Sequence, residues 1–174
     1  MNTERLFLAL WPDEAVRQQV AGYARKLHRS LEGRRLPPRN WHVTLHYLGP
    51  TVAKQRQIVE DIATQTSAPA FSLLLDQAGC WSQPRVAWLG SSRIPDALAL
   101  LFARLRNALQ AQGFALDRRP LRPHMTLMRK VRCPKGELPR PQAVPWRVDR
   151  FVLARSHTLP GGAEYEVLRE WMLQ

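Results

Sequence analysis

No apolar run among the 174 residues approaches the length needed to cross a membrane as a helix. The opening stretch, MNTERLFLALWPDEA, holds only a short apolar run closed by Pro12, Asp13 and Glu14. A secretory signal is therefore not expected, and a cytoplasmic location is inferred. Cysteine is scarce. Cys80 and Cys133 lie far apart and match no metal or redox spacing, so both are expected as reduced thiols. Acidic residues are few as well, 14 against 26 Lys and Arg, which leaves a formal net charge of +12. No carboxylate cluster of the kind used by two-metal nucleases is present, so the chemistry is expected to run without a metal and without a cofactor.

What is present fits a folded, basic protein. Apolar residues make up 45% and charged residues 23%, and a chain of this length buries about 70% of the surface its unfolded form exposes. A surplus of positive charge favours polyanions, with nucleic acid foremost, and such binding weakens as salt rises. Strand and helix patterns alternate without a long flexible linker, which predicts one domain of α/β or α+β class. Strands are expected at 5–12, around WHVTLHYLG (41–49) and around RPHMTLMRK (122–130). Helices are expected at about 13–31, 52–66 and 95–112, with inward stripes led by Val16, Val20 and Leu27, by Ile58, Val59 and Ile62, and by Leu98, Leu101, Leu105 and Leu109. FSLLLDQA and RVAWLG read as a hairpin around the loop GCWSQP, and VRCPKGELPRPQAVP reads as an exposed loop. WRVDRFVLARS and EYEVLREWML read as the two closing strands around LPGG.

Two of these strands carry the same four-residue pattern, H-x-T-L, at His42 and again at His124, 82 residues on. One chance occurrence is expected in roughly three of a hundred such chains, and two in one chain far more rarely. Strand periodicity puts residues i and i+2 on one face, so His42 with Thr44 and His124 with Thr126 are each presented together while the alternate residues face the core. Histidine titrates nearest neutrality, so a pair can hold one acid and one base at once. Facing each other across a groove, two such units suit in-line displacement at phosphorus, with the hydroxyls holding the non-bridging oxygens. The same alternation puts His46 on the His42 face, turns Tyr47 toward the core and sends Arg129 to the face opposite His124. His28, His46 and His157 are expected to be structural. Ordinary packing is expected for Tyr47 and Trp81, although either ring could stack on a base. The loops bearing Arg34, Arg35 and Arg39, and Arg118, Arg119 and Arg122, each precede an H-x-T-L strand and could guide RNA or simply be solvated.

These residues resemble the two-histidine (2H) phosphoesterase superfamily and, within it, the bacterial RNA 2′,3′-cyclic phosphodiesterases, also called 2′-5′ RNA ligases. RLFLALWP, LPPRNWHVTLHYLG, PRVAWLG, RPHMTLMRK and SHTLPGGAEYEVLREWML are similar to successive segments of that family. The resemblance implies a bilobal α+β fold over residues 1–174, in which two pseudo-symmetric lobes, each with an antiparallel sheet and helices, flank a central groove. It implies His42 as the acid that protonates the departing 3′ oxygen and His124 as the base that activates water. Thr44, Thr126 and the motif's trailing arginine, here Arg129, would bind phosphate. The implied partners are RNA with 2′,3′-cyclic phosphate ends, tRNA fragments among them, or cyclic nucleotides, acted on by a monomer that binds no membrane. Three alternatives stay open: ligation, the reverse reaction; a non-catalytic RNA- or nucleotide-binding module on the same fold; and a histidine metal site, which two face-matched histidines without a nearby carboxylate do not favour.

Overall fold

The structure, a computed structural model, describes residues 3–174. Strand β1 (Glu4–Leu10) leads through Pro12 into helix α1 (Glu14–Ser30), which the Asp13 side chain caps by accepting from the Val16 N–H at 2.9 Å. Val16, Val20, Tyr23, Ala24 and Leu27 form its buried stripe. A short strand β2 (Arg34–Arg35) and a 3-10 turn (Pro38–Asn40) precede β3 (Val43–Thr51). That strand runs past Gly49, where the expected strand ends, and Pro50 still lies opposite Arg5 of β1. Helix α2 (Ala53–Gln65) follows, its buried line centred on Val59 and Ala63.

The next segment differs from the expected hairpin. FSLLL forms β4 (Phe71–Leu75), but the hairpin consists of β5 (Gln77–Trp81) and β6 (Val86–Gly90), so half of the expected loop is strand. Strand β4 instead pairs with β8 (Val144–Val148) in a separate two-stranded sheet, where Phe71, Leu73 and Leu75 point into the core. Between them lie helix α3 (Asp96–Ala111), whose Leu98, Leu101, Leu105 and Leu109 are all buried as expected, and strand β7 (His124–Arg129). The chain closes with β9 (Arg150–Leu159) and β10 (Gly162–Met172). WRVDRFVLARS is thus split at Asp149 between two sheets.

An eight-stranded sheet runs in the order β10-β9-β1-β3-β7-β6-β5, with β2 also paired to β7. All its pairings are antiparallel, and the α+β expectation holds. Its two halves meet at a single pair, Val43 opposite Met125. Both side chains are fully buried, so the join is anchored by the core on one face and leaves the other face to flanking residues. Helix α1 lies against β7 and β8, α3 against β3, and α2 against α3.

The cysteine expectation is overturned. Cys80, in β5, and Cys133, in the segment after β7, form a disulfide with Cα atoms 5.6 Å apart. The 53-residue separation hid the pairing, which exists because β5, β6 and β7 are neighbours in the sheet. The segment after β7 is also less exposed than its composition suggested: Val131 is buried, and Val144 belongs to β8.

Candidate active site

The Val43–Met125 pair fixes the site. In antiparallel register around it, His42 falls across from Thr126 and Thr44 across from His124, so each histidine faces the other motif's hydroxyl. All four side chains line one cavity of about 630 Å³.

Each imidazole is clamped in the same way. His42 Nδ1 lies 2.7 Å from the carbonyl of Asn40, and His124 Nδ1 lies 2.7 Å from the carbonyl of Arg122, in both cases two residues upstream. A carbonyl can only accept, so Nδ1 carries the proton and Nε2 keeps its lone pair. On His42 that lone pair accepts from the Thr44 hydroxyl at 3.1 Å. Asn40 is itself held, since its side-chain amide donates to the Ala163 carbonyl at 2.8 Å.

The surroundings of the two rings differ. Trp11 stacks on His42 with centroids 5.3 Å apart, while Phe7 and Tyr165 close in at 4.9 and 5.0 Å. Phe7 and Ala9 of β1 pack there with Val152 and Ala154 of β9, making a small second core behind His42. Burial in this cage pushes the His42 pKa down to about 4; the Asn40 carbonyl opposes the shift, and His124 and Arg129 add to it. His124 meets Trp81 edge-on at 4.6 Å and Trp88 at 6.1 Å. Burial lowers its pKa too, against the Arg122 carbonyl and with a contribution from Arg119. Trp88 can lie so close because Gly79 faces it, and a Cβ at that position would collide with the indole.

Two irregularities in strand pairing revise the faces expected from strict alternation. In β3, Thr44 pairs with Ala9 but His46 pairs with Leu8, so Leu45 is an extra residue. In β7, Thr126 pairs with Trp88 but Met128 pairs with Ala87, so Leu127 is extra. Each extra residue reverses the faces that follow it. His46 therefore turns into the core, where its ring stacks on Phe102 and its Nε2–H donates to the Phe102 carbonyl at 2.9 Å, the structural role expected of it. Tyr47 turns outward into the cavity instead of toward the core, and Arg129 joins the His124 face instead of opposing it. Trp81 lines the cavity as well.

The remaining candidates disperse. His157 lies 2.9 Å from Glu166 on the exposed β9–β10 hairpin, and His28 is exposed near the end of α1. Arg39 pairs with Glu164, whereas Arg34, Arg122 and Arg119, the last paired with Asp117, reach cavity walls. Trp11, Phe7, Tyr165 and Asn40 were missed in the sequence. The spacing of Phe7, Ala9 and Trp11 was a signal for a shared strand face, but nothing local told that this face backs onto His42.

Two tautomerically fixed imidazoles, two hydroxyls and a guanidinium on one cavity wall make a site equipped for proton transfer to and from the oxygens of a phosphate ester. The family model described as the 2′-5′ RNA ligase superfamily matches residues 12–159, and the chain belongs to that family. It is 31% identical to the RNA 2′,3′-cyclic phosphodiesterase of Escherichia coli (strain K12) over 98% of this chain and 97% of the relative. It is 27% identical to the RNA 2′,3′-cyclic phosphodiesterase of Thermus thermophilus over 98% of this chain and 90% of the relative. The crystal structure of E. coli LigT in apo form superposes with a TM-score of 0.91 at 31% identity, covering 99% of both chains, and LigT complexed with 3′-AMP with a TM-score of 0.90.

Proposed function

We propose that this protein is a hydrolase that opens 2′,3′-cyclic phosphate ends of RNA, with His42 and His124 as its acid and base. The observation that carries this reading is the pair of histidines presented on one cavity wall, each with Nδ1 tied to a carbonyl and Nε2 directed into the site. The relatives named for this activity support it, and the E. coli relative was crystallised with 3′-AMP, a nucleotide with its phosphate at the end the reaction would modify.

In this reading the cyclic phosphate sits between Thr44 and Thr126, its non-bridging oxygens held by their hydroxyls and by Arg129. His124 Nε2 takes a proton from water as the new P–O bond forms. His42 gives a proton to O3′ as the P–O3′ bond breaks, leaving a 2′-phosphate. His42 is held neutral in the free protein chiefly by burial, with smaller contributions from His124 and Arg129, so it must gain its proton affinity from the substrate, whose anionic phosphate would favour the imidazolium. The low proton affinity of His42 also favours a second reading, with His42 as base and His124 as acid. A 3′-thio leaving group, which needs no proton, separates them by restoring activity selectively to the variant that lacks the acid.

The natural substrate is proposed to be RNA, tRNA fragments included, with 2′-5′ ligation as the reverse direction of the same chemistry. Residues 1–174 are read as one catalytic domain with two pseudo-symmetric lobes, acting as a monomer in the cytoplasm. The test is to incubate the protein with EDTA and a short RNA ending in a 2′,3′-cyclic phosphate and to follow the product by phosphorus NMR. A 2′-phosphate is the expected product. A 3′-phosphate would reverse which oxygen leaves, and bound but unreacted RNA would favour the binding module.

A further inference from the structure

A second cavity, of about 440 Å³, opens on the far side of the same centre and shares His42, Thr44, Tyr47 and Arg129 with the first. The two differ in chemistry. The first offers flat and apolar surfaces in Trp81, Pro84, Phe102 and Leu121, and two of its guanidinium groups are already engaged: Arg119 pairs with Asp117, while Arg106 lies 4.7 Å over the Phe102 ring and donates to backbone carbonyls. The second is walled by Arg5, Arg34 and Arg129 together with the hydroxyl-bearing Ser156 and Thr158, and among the described residues no carboxylate lines it.

Those three arginines converge on one cavity and, like most arginines of this acid-poor chain, are not paired with a carboxylate among the described residues. Glu4, Glu60 and Glu166 are taken up by Arg56, Arg155 and Arg169, whereas Arg5, Arg34 and Arg129 have no carboxylate partner among the described residues. Arg5 donates to the Tyr47 hydroxyl at 2.9 Å and Arg34 to the Gly161 carbonyl, contacts that orient each guanidinium without neutralising it. The Nε of Arg34 is buried without a partner among the described residues. Arg34 and Arg129 are also direct cross-strand partners in the β2–β7 pair. Like charges placed so are destabilising, and an anion bound between them would relieve the repulsion.

We infer that this second cavity is a subsite for the phosphodiester that joins the terminal nucleotide of the RNA to the one before it, with Arg5 and Arg34 as its cations. A cyclic-phosphate end leaves its reacting phosphorus in two directions: through the base, which suits the aromatic and apolar surfaces of the first cavity, and through the 5′ phosphate toward the rest of the chain. The inference rests on the hydrolase reading and gives that site a means of preferring RNA ends to free cyclic mononucleotides.

The test compares kcat/KM for adenosine 2′,3′-cyclic phosphate with that for the dinucleotide carrying the same end, and with a dinucleotide whose internal linkage is a neutral methylphosphonate. The protein should prefer the charged dinucleotide by tenfold or more, and the methylphosphonate should lose most of that preference without any change in the protein. Arg34→Gln and Arg5→Gln should each lower the dinucleotide-to-mononucleotide ratio severalfold. Equal turnover of all three substrates would overturn the subsite and leave the hydrolase standing, as would variants that lose activity on both substrates in the same proportion. Failure to turn over any of them would overturn the hydrolase reading and the subsite with it.

Discussion

The His42 and His124 half-sites share a frame and differ in their surroundings. Both histidines enter a strand at H-x-T-L, both tie Nδ1 to the carbonyl two residues upstream, and both strands carry an extra leucine just after the threonine. The residue five places beyond each histidine is thereby turned into the cavity. In one half it is Tyr47, in the other Arg129. Around His42 the walls are Phe7, Trp11 and Tyr165, and the ring is dry enough to resist protonation down to about pH 4. His124 faces a cavity edged by two tryptophans and nearby arginines. A shared frame presents the two imidazoles alike, and unlike walls surround them, with burial lowering the proton affinity of both.

The sharpest way to break the comparison is to remove either ring. His42→Ala and His124→Ala should each lower kcat on a cyclic-phosphate-ended RNA by roughly 10²- to 10⁴-fold with the circular dichroism spectrum unchanged. If the two act as a unit, as proposed, the double variant should be little worse than either single one. Exchanging the unlike partners comes next. If Arg129 binds phosphate as proposed, Arg129→Gln should cost about 10- to 100-fold in kcat/KM through the lost charge-assisted contact, whereas Tyr47→Phe should cost less than about threefold. Equal losses would mean that the two positions are equivalent after all.

The walls can be tested separately from the rings. Trp11→Ala admits water to His42, which should move the acid limb of the kcat/KM profile from about pH 4 toward the ordinary histidine value near 6.5 while the other limb stays in place. A limb that does not move would assign it to another group. The smallest effect concerns His46, whose buried ring is likewise held down to about pH 4. Its folded pKa lies below its unfolded one, so the stability it contributes is complete above about pH 6.5 and is lost as the pH falls toward 4. His46→Gln, which can still donate to the Phe102 carbonyl, should flatten the fall in melting temperature over that range.

Much of this site was legible in the chain. His42, Thr44, His124 and Thr126 were readable because side chains two apart on a strand share a face, and two copies of the pattern exceed chance. The faces of His46, Tyr47 and Arg129 were misread because alternation was carried through residues where each strand holds one extra. A trace of that was present in β7: Leu127 and Met128 are consecutive apolar residues, which an alternating strand with one buried face does not need. Helices α1 and α3 followed their stripes closely, whereas α2 buries Val59 and Ala63 and leaves the expected Ile58 and Ile62 part-exposed. Which strands pair was harder to read, because FSLLL has the alternation of a strand and nothing in it names β8 as its partner. The Cys80–Cys133 bond and the cage of Phe7, Trp11 and Tyr165 depend wholly on such pairings, so no local pattern could announce them.

The central claim is that two imidazoles, both held below their ordinary proton affinity, work as an acid and base on one phosphate. It is tested most directly by the pH dependence of kcat/KM for a short RNA with a 2′,3′-cyclic phosphate end, which reports the free protein's titrating groups. The pair would produce a bell displaced to the acid side, rising to a limb near pH 4 and falling above a second limb below pH 6.5. A rate constant that is flat from pH 5 to 9, or still rising at pH 8, would contradict it.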